Sequence, residues 1–225
     1  MKKYDFDKDL EKLPSKIPVF PLNNALLLPK CRLPLNLFEN RYLHMFDYAI
    51  KNHRIIGMVQ PLSHKNELKE KEVPKVYSIG CAGLIVAFNQ TNDNRYEIVL
   101  KGITRFTVLN EVKSQNGFRL FNVSWAEFHL DTKQNEQLPS EKRSLFEKKL
   151  KSYFQKIDIN ADWQAIEASN DEDLVNSISM GCPFSSLERQ ALLEAKNLDS
   201  RVDVLNSLLD MSINENNSLD QKSLS

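Results

Sequence analysis

Two hydrophobic patterns follow one another along the chain. From residue 17 to residue 130, short apolar runs alternate with turn residues, which is typical of β-strands. From Ser140 onward, apolar residues recur every three or four positions, as they do on the buried face of a helix. The sequence therefore predicts a sheet-rich N-terminal half and a helical C-terminal half.

The N-terminal half is predicted to form antiparallel hairpins, because Asn92-Asp93-Asn94 and Gln115-Asn116-Gly117 tolerate the positive φ angles of tight turns. One amphipathic helix interrupts the strands, with Asn36 as its predicted N-cap and Glu39 in the capping-box position. The predicted strands cover residues 17–22, 25–28, 55–60, 77–89, 95–101, 103–112 and 118–128.

The period changes after a polar stretch, DTKQNEQLP, which we interpret as a boundary. Helices are predicted over residues 140–157, 161–168, 171–180 and 185–196, and from Asp199 or Ser200 through Met211. The predicted organisation is an N-terminal extension (1–16), a β-barrel subdomain (17–130), a connection (131–139), a helical bundle (140–212) and a disordered tail (213–225).

The charge is balanced overall but not along the chain. Thirty basic and thirty acidic side chains give a formal net charge of zero, which argues against binding of a polyanion through bulk charge. Residues 1–130 nevertheless hold 19 basic and 13 acidic side chains, whereas residues 131–225 hold 11 and 17. The two halves are thus oppositely charged, by +6 and −6, and should attract each other.

The cysteines and the apolar runs favour a reduced, cytoplasmic protein. Cys31, Cys81 and Cys182 are an odd number with no CxxC pair, so neither a disulfide framework nor a zinc site is predicted. The first sixteen residues alternate charges where a signal peptide would be apolar, and no run of 18 apolar residues occurs. We expect no membrane segment, no metal and no cofactor.

No motif for enzymatic chemistry stands out. The sequence contains no GxxxxGK[ST] phosphate-binding loop and only six glycines. None of the three cysteines has the surroundings that activate a nucleophile, and the four histidines lack metal-ligand spacing. We therefore expect a binding module, and a hydrolase remains the weakest alternative.

Several blocks of sequence resemble a known family. The segment that begins IPVFPL, continues through LLLPK and CRLPL, and reaches Phe38-Glu39-Asn40-Arg41-Tyr42 resembles the start of the Lon substrate-binding domain in its free-standing form. The family commonly has proline where Asn40 stands. Further blocks follow in the family order over roughly residues 15–212, among them Gly80-Cys-Ala-Gly83, Gly102-Ile-Thr-Arg105-Phe106 and Leu187-Glu188-Arg189-Gln190.

The resemblance implies an α+β fold, with an N-terminal PUA-like antiparallel β pseudo-barrel, one inserted helix and a C-terminal helical bundle. It also implies a non-enzymatic module that lacks the ATPase and Ser-Lys protease domains of Lon. Such a module would recognise unfolded or hydrophobic polypeptide segments and act as an adaptor in protein quality control. A Lon-type or other ATP-dependent protease is the implied partner, and the oligomeric state stays open. The alternative is a PUA-like domain that binds a small ligand or a nucleic acid, although the scattered basic residues do not favour nucleic acid.

Six residues are candidates for substrate contact. Edge strands punctuated by proline leave backbone groups free, so we select the apolar residues Phe20, Leu22, Leu26 and Leu28, which could equally complete the core. Arg41 and Arg105 lie beside aromatic residues in the family blocks. Each could bind a ligand carboxylate, or could tie the helix to the barrel by pairing with Glu39 or a backbone carbonyl.

Overall fold

A computed structural model of the chain describes residues 13–62, 74–113, 116–132 and 136–222, with side chains described up to residue 214. The chain divides into two compact units, residues 1–133 and residues 134–225. The division falls inside the predicted connection. Most of the predicted N-terminal extension, residues 1–12, lies outside the described residues, as do residues 223–225 of the predicted tail.

The first unit contains a six-stranded sheet that closes on itself. Its strands pair in the order β5–β4–β3–β1–β6, and β6 pairs again with β5, while β2 pairs with β5 outside this ring. The predicted pseudo-barrel is therefore confirmed. The strands are β1 (Lys16–Pro21), β2 (Arg32–Leu37), β3 (Ile55–Val59), β4 (Ile79–Gln90), β5 (Tyr96–Val112) and β6 (Arg119–Ser124).

β5 is long enough to pair both with β2, which lies outside the barrel, and with the barrel strand β6. Its first part, Tyr96 to Lys101, pairs with β2, and its last part, Thr107 to Val112, pairs with β6. β4 lies along β5 from Tyr96 to Thr107 with two register shifts, which bend the pair. All pairs are antiparallel except β1–β3, which is parallel because β2 and a helix carry the chain back between them.

The barrel interior is apolar, and the inserted helix α1 (Asn40–Lys51) contributes its own apolar face. Tyr42, Met45, Phe46 and Ala49 of α1 are buried. The barrel core itself is formed by Leu13, Ile17, Val19, Ile55, Val59, Ala82, Ile103, Phe106, Phe121 and Val123.

Residues 95–101 and 103–112, predicted as two strands, form the single strand β5, and the last predicted strand ends at Ser124 and is followed by a 3-10 helix (Ala126–Phe128). Two further local predictions, at the start of this unit, are wrong. Asn36 does not cap α1, because it lies in β2 opposite Glu97; the N-cap is Glu39, which makes no side-chain cap bond. Residues 25–28 are not a strand, although they are apolar, and the strand lies further on, at β2. A short apolar run predicts burial but does not by itself distinguish a strand from irregular buried chain.

Residues 25–28 instead cross the sheet over two glycines. A Cβ placed on Gly102 would lie 2.1 Å from the Leu28 carbonyl oxygen, and one on Gly83 would lie 2.9 Å from Leu27 Cδ2. Beyond the crossing, the Lys30 N–H donates to the Gly102 carbonyl at 2.9 Å, which fixes the turn before β2. Both glycines belong to the sequence blocks described above. Glycine is needed at these positions because residues 27 and 28 approach the β4 and β5 backbone too closely for a Cβ atom.

The second unit is entirely helical in the residues described. Its helices are α2 (Ser140–Lys156), α3 (Trp163–Ala168), α4 (Asp171–Gly181), α5 (Ser186–Glu194) and α6 (Leu198–Lys222). Asn170 caps α4, and Ser185 and Glu188 form a full capping box at α5. α6 continues past Met211, where we predicted its end, because neither glycine nor proline occurs in it.

The helices α2 and α6 run parallel to each other. Lys142 pairs with Asp203, and one heptad later Lys149 pairs with Asp210, so both contacts join residues 61 positions apart. Between the helices lie buried apolar side chains at heptad-like spacing, contributed by Phe146, Leu150 and Tyr153 of α2 and by Val202, Leu205 and Leu209 of α6.

Candidate functional site

The predicted apolar contact residues belong mainly to the core. Phe20, Leu26 and Leu28 are 4%, 3% and 0% exposed, and the ring of Phe20 lies 4.2 Å from that of Tyr42. Leu22 is half-buried, and its backbone N–H donates to the Val59 carbonyl at 3.0 Å. Three of the four residues therefore complete the core, which is one of the two roles that the sequence allowed. Their role in substrate contact stays a prediction.

Arg105 is buried in an ion pair. It lies on β5, and its Nη2 donates to Asp131 Oδ1 at 2.7 Å, while its backbone N–H donates to Asp131 Oδ2 at 2.8 Å. The two side chains are only 3% and 6% exposed, and the guanidinium lies over the Phe128 ring at 4.6 Å. Arg105 therefore ties β5 to the chain that leaves β6, through Asp131 and not through Glu39.

Arg41 lies on the surface at the start of α1. It pairs with Glu39 at 2.7 Å, but the side chains are 43% and 40% exposed, so the pair contributes little stability. The guanidinium also covers the ring of Tyr42 at 4.5 Å. Burial raises the pKa of Tyr42, and the positive charge of Arg41 works in the opposite direction. Arg41 and Arg105 thus play different parts, and the structure does not place them in one site.

Two of the three cysteines lie inside the fold. Burial raises the pKa of the Cys182 thiol to about 11, although the neighbouring Tyr153 and Arg189 lower it in part. Cys81 is buried as well. No group of three or more His, Cys, Asp or Glu side chains in the described ranges could hold a metal ion, and no helix there is long and apolar enough to cross a bilayer.

A partly apolar groove lies on the outer face of the strands β2, β5 and β4. It has a volume of about 530 Å³ and follows this face over Pro34–Asn36, Ala87–Asn89 and Glu97–Val99. Ile98 and Leu100 of β5 are buried, so Glu97 and Val99, which alternate with them, lie on the opposite face of the strand. A register shift after Ile85 brings Ala87 of β4 opposite Val99 on that same face. Below we call this surface the outer-face groove.

The groove adjoins an unpaired strand edge and exposed aromatic residues. β2 pairs with β5 alone among the described strands, and Pro34 within it has no N–H to donate, as suits an edge strand. Phe38, directly after β2, is 62% exposed. Phe88 is 53% exposed but lies opposite the buried Ile98, and its ring packs against that of Phe46 with centroids 5.3 Å apart. The arrangement can bury an apolar side chain against Val99 and offers backbone groups beside it.

A second cavity, of about 380 Å³, lies between the start of β1 and the end of α1. Its lining is mixed, with Lys16, Tyr48, Asn52 and His53 beside Ile17. Neither cavity was predicted from the sequence. The only available signal for the outer-face groove was the alternation in RLPLNL, where Arg32, Pro34 and Asn36 are the exposed positions.

The comparison with known families settles what these elements belong to. The model of the "ATP-dependent protease La (LON) substrate-binding domain" matches residues 16–211, which is most of the chain. The chain is a member of this Lon substrate-binding domain family. The resemblance seen in the sequence blocks is thereby confirmed, and only this domain of Lon is found.

The curated relatives are Lon proteases, and the chain matches a small part of each. A Lon protease of Desulfosudis oleivorans is 29% identical over 112 residues, covering 49% of this chain and 14% of the protease. Lon protease 2 of Syntrophobacter fumaroxidans is 26% identical over 196 residues, covering 82% of this chain and 23% of the protease. The chain thus spans less than a quarter of the length of either relative.

Two solved structures share the fold. A Lon N-terminal domain protein from Xanthomonas campestris superposes with a TM-score of 0.62 at 22% identity, covering 86% of this chain and 98% of that one. The N-terminal domain of the Mycobacterium avium complex Lon protease gives a TM-score of 0.60 at 14% identity, covering 89% and 98%. At these identities the likeness shows the architecture of the Lon N-terminal domain.

Proposed function

We propose that this Lon-type domain is a non-enzymatic recognition module that binds unfolded or apolar polypeptide segments in the outer-face groove. The observation that carries the proposal is the open edge of β2 beside an exposed apolar surface made by Pro34, Ala87 and Val99. The family to which the chain belongs is described as substrate-binding, which supports the same class of partner.

The physical basis is burial combined with backbone pairing. Each Å² of apolar surface removed from water contributes about 25 cal/mol, so one buried side chain of the segment contributes about 1.5–3 kcal/mol. Hydrogen bonds to the main chain add affinity without demanding a particular sequence. This combination suits a module that must accept many unfolded clients, and an ATP-dependent protease in the cytoplasm is the partner we propose for it.

A titration with a permanently unfolded, fluorescently labelled model protein tests the proposal. The full chain should bind it in the micromolar range, and Val99→Thr should weaken binding about five-fold, because roughly 1 kcal/mol of apolar contact is lost. Val86→Thr is the matched control, since Val86 is an exposed β4 residue outside the groove lining. Absence of binding at high micromolar concentration, or equal weakening by both variants, would contradict the proposal.

A further inference from the structure

Charged side chains of opposite sign lie on the face that holds the outer-face groove: Arg32 and Lys101 lie beyond one end of the groove, and Glu97 lines its other end. We propose that it selects extended segments in which an acidic, an apolar and a basic side chain occupy every second position. This inference rests on the proposed function and adds a specificity to it.

Cross-strand pairing arranges the outward side chains in three rows. The first row is basic on β2 and β5, where Arg32 lies opposite Lys101, and ends at the half-buried Leu84 on β4. The third row holds Glu97 between Asn36 and Asn89. The row between them is apolar and consists of Pro34, Val99 and Ala87. The order of the rows is therefore positive, apolar and negative.

The spacing of the rows matches the repeat of an extended chain. Successive rows are two strand residues apart, or about 7 Å, so the basic and acidic rows are separated by about 14 Å. Alternate side chains of a bound extended segment have the same repeat. A segment paired with the edge of β2, with residues i, i+2 and i+4 on the same face as the rows, can thus add one side chain to each row. A reversed segment presents the same three in reverse order, so Glu-x-Leu-x-Lys and Lys-x-Leu-x-Glu both fit.

The neighbouring residues Asn89 and Arg95 do not neutralise the negative charge of Glu97. The Asn89 amide donates to Glu97 Oε2 at 3.4 Å, a contact that brings no opposing charge. Arg95, the next basic residue along β5, pairs with Asp93 at 2.8 Å, so its own charge is largely balanced. Glu97 is exposed and accessible to a cationic side chain of the segment.

The test uses four labelled peptides of equal length with a Leu centre and different residues two positions to either side: Glu and Lys, two Gln, two Glu, or two Lys. At low salt the Glu/Lys peptide should bind the full chain at least three-fold more tightly than the Gln peptide, as is typical of exposed ion pairs. The advantage should shrink in 0.5 M salt, because screening weakens such pairs.

The variant Glu97→Lys makes both ends of the groove positive. The preference should then move from the Glu/Lys peptide to the doubly acidic one by about three-fold or more. Glu167→Lys, on an exposed residue of α3, changes the net charge equally and should leave the preference unaltered. Equal binding of all four peptides would overturn the charge selection while the proposed function stands. Failure of all four and of the unfolded protein to bind would overturn both.

Discussion

The sheet unit and the helical unit bury arginine in different ways. In the sheet unit, Arg105 is balanced by the carboxylate of Asp131, 26 positions along the chain. In the helical unit, Arg189 donates to three main-chain carbonyls, those of Met180, Cys182 and Phe184, at 3.1, 2.7 and 2.9 Å. The first arginine joins distant parts of the fold, whereas the second satisfies the carbonyls left at the end of α4.

Glycines in the two units differ in the same way: one is close to a distant part of the chain, and the other is not. Gly102 in β5 has no room for a Cβ because the Leu28 carbonyl approaches it, while a Cβ on Gly181 at the end of α4 would meet nothing within 4 Å. The sheet unit therefore depends on close backbone contact between distant segments. At the end of α4, by contrast, the helical unit uses a nearby side chain, that of Arg189, and no close backbone approach.

Removing Asp131 should have the largest effect. Asp131→Ala leaves the charged Arg105 buried without its carboxylate and should lower the free energy of unfolding of the sheet unit by about 3–5 kcal/mol. The measurement is urea unfolding followed by Trp125 fluorescence in a Trp163→Phe background, because the two tryptophans of the chain lie one in each unit.

A double variant distinguishes the energy of the Arg105–Asp131 ion pair from the cost of leaving Arg105 charged and buried without a carboxylate. Arg105→Met with Asp131→Leu removes both charges and should recover most of the lost stability, since replacing a buried pair by apolar residues is often neutral. If Asp131→Ala cost less than about 1 kcal/mol, the value typical of an exposed pair, the role given to Asp131 would be wrong.

Alanine at the two glycines should have opposite effects. Gly102→Ala should destabilise the sheet unit by about 1–3 kcal/mol, because the new Cβ forces the chain at Leu28 to move. Gly181→Ala should stabilise the helical unit by about 0.5–1 kcal/mol, because alanine loses less backbone freedom in a helix. Thermal unfolding of both variants measures the contrast, and a loss of stability in both would contradict it.

The smallest effect is expected on the surface of the helical unit. Lys149→Ala removes the pair with Asp210, whose side chain is half exposed, and should cost about 0–1 kcal/mol. The difference should vanish in 1 M salt, where exposed pairs are screened. Unfolding followed by Trp163 fluorescence in a Trp125→Phe background measures it, and a cost above 2 kcal/mol that persists in salt would mean that the pair acts as a buried one.

The sequence predicts best what is set by local periodicity. Apart from α6, which runs on from the predicted end at Met211 to Lys222, the helices of the second unit lie within a few residues of their expected bounds, because capping residues such as Asn170 and Ser185 are local signals. Burial of residues 25–28 follows from their apolar character, but their irregular path does not, because it depends on glycines more than fifty positions away. Long-range approach of this kind leaves no mark on a local pattern.

The candidate site was harder to predict for the same reason. Arg105 is a candidate because it lies beside an aromatic residue in one of the family sequence blocks. Its partner Asp131 lies in the polar stretch DTKQNEQLP, which the sequence pattern predicts only as a connection. The groove arises only when Pro34, Ala87 and Val99 are paired across three strands, with a bulge shifting the β4 register by one residue. A single sequence gives the alternation within each strand but not the register between strands.

The parallel course of α2 and α6 has a consequence for synthesis. Their polar contacts join residues 56 to 61 positions apart, so α2 emerges from the ribosome well before the helix it packs against. The apolar face of α2 therefore lacks its α6 partner until α6 has been synthesised; this face is formed by Phe146, Leu150 and Tyr153. During that interval the nascent chain exposes an apolar helix face, which is the kind of surface that chaperones bind.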